Sequence, residues 1–505
     1  MKARWLTLFA SVPLIVGTML LQSCGGVGGP TSSKTNPGTN APSQAFLALM
    51  TAEQKASKYI GPESCNASAC HGGSATPAHG GMKLASFNTK KANAAGGGQF
   101  GEWQQTVHFT KGVSCENCHG PGGAHQAAPK NADGTAHAIL TYPKITSPEV
   151  CGQCHGPIHD DWKISKHSEL IASPISSTVT NPASSGQTSR CFLCHGGLAR
   201  AQYMEAGVDP SQMTTAQIVQ CANDILNTVP YTASCATCHD PHAKTGNLTG
   251  AGKEVQLYHP ETLTDSSAIA PGTTPAQYTA ANQICGQCHN GRGTTATDAY
   301  LTANTSRPSV HHSNQLNSLL GVGGSETASG PPQRSGTHAL TPGQCATCHM
   351  PKSRHTMTVS VDGGCQPCHT ASDAATRAAT LKAEVVNNLV ALSSRMGSWA
   401  QTTLGDPTFW DYTSNIASGK TAPKQSLIPI EVKRARHNYY YVVTSGDYGV
   451  HNPAYTRYLL QVAANNLNSL GVPAMKPQDL AAIPMPVKLQ QIQQVRKSAS
   501  SSDVD

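Results

Sequence analysis

The chain has 505 residues, of which 12% are charged and 5% aromatic, and it carries 18 cysteines, 22 histidines and a formal charge of +7. Charged residues usually make up about a quarter of a soluble protein. A polypeptide with so few large apolar side chains makes only a thin core of its own. The composition therefore argues against an ordinary globular domain and indicates that a bound group fills part of the interior.

The first 23 residues are typical of an export signal. Lys2 and Arg4 precede an apolar run over residues 5–21, which is too short and too early to favour a permanent membrane-spanning helix. The run ends in a Leu-Gln-Ser-Cys sequence that resembles the bacterial lipoprotein cleavage box, in which the cysteine, here Cys24, is acylated. Because Gly25 rather than aspartate follows, the resemblance implies sorting to the outer membrane of a Gram-negative cell. The alternative is ordinary signal cleavage beside a stray cysteine.

We expect three further regions after the signal. Residues 24–50 are rich in Gly, Pro, Ser, Thr and Asn, which predicts a flexible tether. Residues 51–370 contain paired cysteines throughout and are predicted to be mostly loops and short helices. Residues 371–505 form the last region, in which apolar residues at helical spacing predict a helix over 372–404, and Asn452-Pro453 is a plausible start for a second helix that Gly471 stops.

One motif recurs from residue 115 to residue 369. Seven copies of Cys-x-x-Cys-His are present, and an eighth, from Cys65 to His71, has four spacer residues. This is the attachment signature of a c-type haem, in which two thiols bond the porphyrin and the histidine binds iron. A disulfide framework does not explain why a histidine follows every pair. The predicted attachment residues are Cys65, Cys70 and His71; Cys115, Cys118 and His119; Cys151, Cys154 and His155; Cys191, Cys194 and His195; Cys235, Cys238 and His239; Cys285, Cys288 and His289; Cys345, Cys348 and His349; and Cys365, Cys368 and His369.

Eight c-type haems would change both folding and charge. They would supply the missing apolar interior, so we expect haem attachment and folding to be one event. Removing Lys2 and Arg4 with the signal lowers the formal charge from +7 to +5, and eight ferric haems at about −1 each bring the protein to roughly −3. The basic sequence therefore does not indicate nucleic-acid binding. Cys221 has no motif and is expected to be a buried, unreactive thiol.

The second axial ligand of each iron decides the chemistry. Eight of the 22 histidines are proximal, so fourteen remain for eight distal positions. An iron with histidine at both axial positions suits electron transfer, whereas an iron with a vacant axial position suits substrate chemistry. The favoured distal candidates are His108, His125, His167, His242, His312, His338, His355 and His451. Less favoured are His79, His137, His159, His259, His311 and His437.

Two segments resemble a known superfamily. The stretch from Trp103 through His108 and Cys115-Glu-Asn-Cys-His-Gly-Pro-Gly to His125, and Cys345-Ala-Thr-Cys-His-Met-Pro-Lys, are similar to the group that contains pentahaem nitrite reductase, octahaem hydroxylamine oxidoreductase and the tetrahaem cytochrome of nitrifiers. The segment around His451 is similar to the one that supplies a distal histidine in the nitrite reductases. The resemblance implies an α-rich fold with closely packed haems and His451 as a ligand.

The sequence departs from that superfamily at its catalytic features. The nitrite reductases have lysine as proximal ligand of the catalytic haem, whereas every motif here ends in histidine. The hydroxylamine oxidoreductases cross-link a tyrosine to theirs, and no tyrosine here can be assigned to that role; the cluster Tyr439, Tyr440 and Tyr441 is more typical of helix packing. Both departures weigh against catalysis.

The leading hypothesis is a mainly α octahaem cytochrome with a large irregular fraction and a closely packed haem array. It would be an outer-membrane lipoprotein anchored through Cys24, and it would exchange electrons with other redox proteins of the periplasm or outer membrane, toward an outer-membrane or extracellular acceptor. One alternative is an enzyme that reduces nitrite, hydroxylamine or tetrathionate at one open haem. Another is a conducting filament of stacked copies. The first motif, with its long spacer, is the place to inspect for a distinct haem.

Overall fold

The structure is a computed structural model of the 505-residue chain. It describes residues 42–66, 71, 98–129, 147–180, 191, 194–197, 200, 214–228, 231–242, 244, 254–257, 284–291, 296–308, 310–341, 343–366, 368–421 and 424–474. The predicted export signal, the lipidation residue Cys24 and the last thirty-one residues lie outside this part of the chain.

Helices dominate the described residues, as the sequence predicts. Within those residues the structure has no strand, and the single isolated bridge joins His239 and Leu257. The helices are α1 Gln44–Ala48, α2 Ala52–Ala56, α3 Gly98–Trp103, α4 Val107–Thr110, α5 Cys115–His119, α6 Gly123–Ala127, α7 Pro148–Gly152, α8 Gly156–Lys163, α9 Ala172–Thr180, α10 Thr215–Thr228, α11 Cys235–Cys238, α12 Asp298–Ala303, α13 Gln315–Leu320, α14 Cys345–His349, α15 Val361–Gly364, α16 Ala371–Leu404, α17 Ile430–Ser445 and α18 Pro453–Ser469. The mainly α architecture with a large irregular fraction is confirmed. Among the described residues, no helix is both long and apolar enough to cross a membrane.

The folded body begins before residue 51, where the sequence analysis ends the tether. Ser43 caps α1, its side chain accepting a hydrogen bond from the N–H of Phe46 at 3.1 Å. Phe46 and Met50 are buried and pack with Val150. The apolar side chains of residues 46–50 therefore pack this end of the chain against the body. Residues 24–44 are rich in Gly, Pro, Ser, Thr and Asn, whereas residues 46–50 are not.

The C-terminal helices α16, α17 and α18 pack together around the largest apolar cluster. α16 begins after Thr370, whose hydroxyl caps it, and ends at Gly405 with a φ of 81°. Asn452 caps α18 by accepting the N–H of Tyr455 at 3.1 Å. Both helices were predicted, and both are confirmed within one or two residues of the expected limits.

Helix α17 was not predicted. It contributes the centre of the C-terminal cluster, with Tyr439, Tyr440 and Tyr441 each 2% exposed. Burial on nearly every side removes the alternation of polar and apolar residues by which an amphipathic helix is recognised. The tyrosines pack here, as expected from the sequence: the hydroxyl of Tyr440 donates to Asp411 at 2.7 Å and that of Tyr441 to the carbonyl of Val322 at 2.7 Å.

A second apolar cluster holds the one unassigned cysteine of the described region. Cys221 on α10 is 8% exposed and packs with Trp162 and Ile225. Burial raises the pKa of its thiol to about 12, so the thiolate that would react is disfavoured. A buried, unreactive thiol was the expectation for this residue.

Candidate haem-binding sites

Where the structure describes them, the strict motifs form a short turn that ends at the histidine. In four of these copies the histidine N–H donates to the carbonyl of the first cysteine four residues earlier: His155 to Cys151 at 3.0 Å, His239 to Cys235 at 2.9 Å, His289 to Cys285 at 2.9 Å and His369 to Cys365 at 3.0 Å. Such a turn places both thiols on one side and the imidazole next to them. The two-residue spacing therefore forms this turn through local hydrogen bonds, with few contacts from elsewhere in the fold.

The long first motif closes with the same bond. The N–H of His71 donates to the carbonyl of Cys65 at 3.3 Å, across six residues instead of four. His71 therefore makes the same bond to the first cysteine as the proximal histidines of the strict copies. Cys70 itself lies outside the described residues.

We number the sites 1 to 8 in the order of their proximal histidines, and each of these rings faces a second histidine. The pairs, with the distance between ring centroids, are His71 and His125 (6.5 Å), His119 and His242 (6.0 Å), His155 and His108 (6.3 Å), His195 with both His311 (6.5 Å) and His312 (6.4 Å), His239 and His355 (6.3 Å), His289 and His167 (6.2 Å), His349 and His451 (6.3 Å), and His369 and His338 (6.5 Å). The facing rings include all eight of the distal candidates favoured from the sequence.

The separations fit one metal ion between each pair. Two imidazoles that share an ion each reach it through a bond of about 2 Å, with the ring centre roughly 1 Å behind the nitrogen, which puts the centroids about 6 Å apart. Aromatic rings in direct contact span a wider range, about 4.5–7 Å between centroids. The separations at all eight sites instead fall within 6.0–6.5 Å, which matches the spacing of two imidazoles that bind one iron.

Hydrogen bonds at Nδ1 orient several of these rings. Backbone carbonyl oxygens lie within hydrogen-bonding distance of the Nδ1 atoms of four, and a side-chain oxygen lies near Nδ1 in four more. The eight contacts are His239 to Val255 O (2.8 Å), His338 to Val450 O (2.7 Å), His349 to Met357 O (3.0 Å), His355 to Ser353 O (2.9 Å), His289 to Gln315 Oε1 (3.3 Å), His311 to Ser313 Oγ (2.6 Å), His369 to Asp373 Oδ2 (3.2 Å) and His451 to Asp447 Oδ2 (2.9 Å). An Nδ1–H held this way leaves Nε2 unprotonated and able to bind metal.

Burial keeps the most enclosed rings neutral. It lowers the pKa of His167 and of His239 to about 4, because the imidazolium form is poorly solvated there. His451 differs: burial lowers its pKa, but the carboxylate of Asp447 outweighs this and raises it. A neutral imidazole is the form that coordinates a metal ion, so the buried rings are ready to do so near neutral pH.

One turn between α17 and α18 serves two sites. Its residue His451 faces His349 of site 7, and its carbonyl at Val450 accepts the Nδ1–H of His338, which faces His369 of site 8. Asp447, 7% exposed, accepts the N–H of His451 at 3.0 Å and holds the turn together. Asp447 and Asp373 were not predicted as site residues, although each stands four positions from a site histidine.

Two of the less favoured histidines have other roles. His437 on α17 is fully buried, and its Nε2 lies 3.0 Å from the carbonyl oxygen of Gly323. His159 lies 3.4 Å from Glu149 and stacks on Trp162. His79, His137 and His259 lie outside the described residues.

Cysteines of different motifs contact one another in a regular pattern. The first cysteines hydrogen-bond in three pairs: Cys65 with Cys115, Cys151 with Cys235, and Cys285 with Cys345. Second cysteines lie close enough to the first cysteine of the following site for electrostatic interaction: Cys118 with Cys151, Cys238 with Cys285, and Cys348 with Cys365. These hydrogen bonds and electrostatic interactions connect the sites in the order 1, 2, 3, 5, 6, 7 and 8, which we name the seven-site line.

Site 4 lies beside this line. The thiol of Cys194 donates to the carbonyl of Gln287, in the spacer of site 6, at 3.6 Å. A comparable contact between spacers joins sites 3 and 2, where the amide of Gln153 donates to the carbonyl of Asn117 at 3.3 Å. Site 4 therefore touches site 6, and sites 3 and 5 are in direct contact without it.

Comparison with known proteins gives fold likenesses alone. No protein-family model matches the chain, and no curated protein matches it. Among solved structures, an undecahaem cytochrome from the S-layer of Carboxydothermus ferrireducens is 20% identical with a TM-score of 0.42, over 72% of this chain and 51% of that one. The outer cell wall cytochrome OcwA is 18% identical with a TM-score of 0.43, over 70% of each chain. The chain thus spans about half the length of the undecahaem cytochrome, and likenesses at this level do not assign a function.

Proposed function

We propose that this chain is an octahaem c-type cytochrome that carries electrons along the seven-site line. The observation that carries the proposal is the set of eight histidine pairs at 6.0–6.5 Å, each beginning at a histidine that follows a cysteine pair. Iron closed by two imidazoles and alternating between its ferric and ferrous states supplies one-electron storage at each site. The sixteen motif cysteines would hold the porphyrins, and the paired histidines would close the irons.

Continuity of the line supports transfer along it. Thiols that lie near one another bring the porphyrin edges bonded to them close together, so each site in the line has a neighbour on both sides except sites 1 and 8. The links alternate between hydrogen-bonded first cysteines and electrostatic interaction with a second cysteine. Electrons would enter near one end and leave near the other, with site 4 as a side position beside site 6.

The histidine pairs favour this function over reduction of nitrite, hydroxylamine or tetrathionate at an open iron. Such a reaction needs a vacant axial position and a side chain near it that delivers protons. Within the part of the chain that the structure describes, each proximal histidine faces an imidazole instead. The long-spaced site 1, where a distinct haem was considered, faces His125 like the others.

The location is also part of the proposal. We infer an outer-membrane lipoprotein held through an acylated Cys24, with the folded body on the periplasmic or outer face and other redox proteins as partners. The support is the export signal and cleavage box of the sequence. Metabolic labelling with a radioactive fatty acid would label the wild-type protein and leave a Cys24→Ser variant unlabelled; equal labelling would refute the anchor.

The haem proposal is tested on purified full-length protein matured in a host that makes c-type cytochromes. We expect eight haems per chain by haem assay and intact mass, and only low-spin ferric signals in electron paramagnetic resonance. Changing Cys65 and Cys70 together to alanine should leave seven haems. A high-spin signal near one haem in eight that shifts with nitrite or hydroxylamine would instead favour the enzyme. An experimental structure of the loaded protein tests the order of the sites, and finding site 4 between sites 3 and 5 would refute the seven-site line.

A further inference from the structure

Site 4 differs from the other sites because two adjacent histidines face its proximal ligand. The ring of His195 lies 6.5 Å from that of His311 and 6.4 Å from that of His312, and the two distal rings are 3.9 Å apart. One ligand atom from each of the three lies within 4.8 Å of the others. Both separations fall in the range that the pairs at the other sites occupy.

An iron has one axial position on the far side of the porphyrin, so only one of the two rings can hold it at a time. With its centroid 3.9 Å from the first, the second ring would remain in contact with the ligand. Replacing one by the other requires a side-chain rotation and breaks one iron–nitrogen bond as it forms another. The exchange consumes no electron and no proton.

The surroundings of the two rings are unequal. The Nδ1 atom of His311 lies 2.6 Å from the hydroxyl oxygen of Ser313, and that hydroxyl donates to the carbonyl of Asn290 at 3.1 Å. Because the hydroxyl proton is used on Asn290, the serine oxygen accepts from the imidazole, which places the ring proton on Nδ1 and leaves Nε2 for metal. His311 is half-buried, whereas His312 is exposed.

The segment that carries both rings is held rigidly. Val310, just before it, is 4% exposed and belongs to the C-terminal apolar cluster. Asn314, just after it, is fully buried and its amide donates to the carbonyl of Tyr441 on α17 at 3.2 Å. A fixed backbone at both ends keeps the two imidazoles above site 4, so one can replace the other without a change of fold.

We propose that His311 is the resting distal ligand of site 4 and that His312 is a reserve ligand that replaces it. The inference rests on the proposed haem sites. It adds that the iron of site 4, beside the seven-site line, keeps two axial ligands even when the first distal histidine is lost. It also reverses the preference for His312 that the sequence suggested. Site 4 would therefore have two ligation states, with different potentials, next to site 6.

The test compares three variants with the wild type by electron paramagnetic resonance of the oxidised protein and by carbon monoxide binding to the reduced protein, in buffer free of imidazole. His311→Ala should keep all eight haems low-spin, shift the g-values of one, and bind no carbon monoxide. His312→Ala should match the wild type. His338→Ala is the control, because one half-buried histidine, His338, faces His369 at site 8, and it should turn one haem in eight high-spin and open it to carbon monoxide.

The results separate this inference from the proposed function. If His311→Ala alone gives one high-spin haem that binds carbon monoxide, His312 is no reserve and the inference fails. A high-spin haem in His312→Ala would refute it equally, because His312 would then be the sole ligand. The double variant His311→Ala/His312→Ala should open one haem, although the single variants decide the question if it does not fold. A wild-type protein with fewer than eight haems would refute the proposed function itself.

Discussion

The carboxylate of Asp447 should set the redox potential of site 7. It is 7% exposed, and its Oδ2 lies 2.9 Å from Nδ1 of His451 and accepts the N–H of that residue at 3.0 Å. The hydroxyl of Ser445 donates to its Oδ1 at 2.6 Å. A negative charge behind a ligand favours the ferric over the ferrous iron, so replacing Asp447 with asparagine should raise the potential of one haem.

Two estimates bracket the size of the change. A hydrogen bond to a charged group exceeds a neutral one by about 1.5 kcal/mol, which is about 65 mV for a one-electron couple at 59 mV per tenfold change. Alternatively, a unit charge about 7 Å from the iron at an effective dielectric constant near 20 contributes about 2.4 kcal/mol, or about 100 mV. We therefore expect a rise on the order of 65–100 mV in one of eight components.

The assay is a spectroscopic redox titration of wild-type and Asp447→Asn protein, in which about one eighth of the haem absorbance should move upward. Asp373→Asn at site 8 is the matched control. Its carboxylate also contacts a site ligand, but it is 41% exposed and bound to Arg377 at 2.8 Å, so solvent and the guanidinium already offset its charge. We expect a shift below about 20 mV there.

An unchanged titration of Asp447→Asn, or a downward shift, would contradict the reasoning, because it would mean that His451 is not a ligand or that its charge environment does not reach the iron. Equal shifts in both variants would also contradict it, since the difference in exposure between the two carboxylates is what separates the expectations. Low-spin signals in both proteins would first establish that ligation is intact.

Three further changes test the packing around the sites. Leu389→Ala, in the C-terminal cluster and fully buried, should lower the free energy of unfolding by about 2–5 kcal/mol, while Leu427→Ala, 58% exposed, should have little effect in the same urea titration. Burial lowers the pKa of His437 to about 4 from about 6.5 in the unfolded chain. The free energy of unfolding should therefore be highest above pH 6.5 and fall by about 3 kcal/mol as the pH is lowered to 4. His437→Gln should reduce this fall, as measured by unfolding followed by circular dichroism at pH 7 and pH 5. Glu116→Ala removes the acceptor for three backbone N–H groups, including that of Ile60 at 2.9 Å, so amide exchange there should speed up, and unchanged exchange would show that the carboxylate does not hold this segment.

Much of the local chemistry could be predicted from the sequence. The motif spacing alone predicts the turn at each site, because a histidine N–H bonded to the first cysteine carbonyl is a local interaction. Helices α16 and α18 were predicted because their caps and apolar spacing are also local features. Helix α17 was not, since a helix buried on nearly all sides has no polar face to reveal its period.

The pairing of the sites could not come from the sequence. His242 faces a proximal histidine 123 positions earlier, and His167 faces one 122 positions later; no spacing rule joins residues so far apart. His311 and His312 are equivalent in sequence and are distinguished only by Ser313, Asn290 and the depth of burial that the fold creates. The sequence by itself predicted eight attachment turns and what each would bind, because those depend on covalent neighbours. The tertiary structure alone decided which histidine faces which, which carboxylates stand behind them and the order of the sites, because these depend on where distant segments pack.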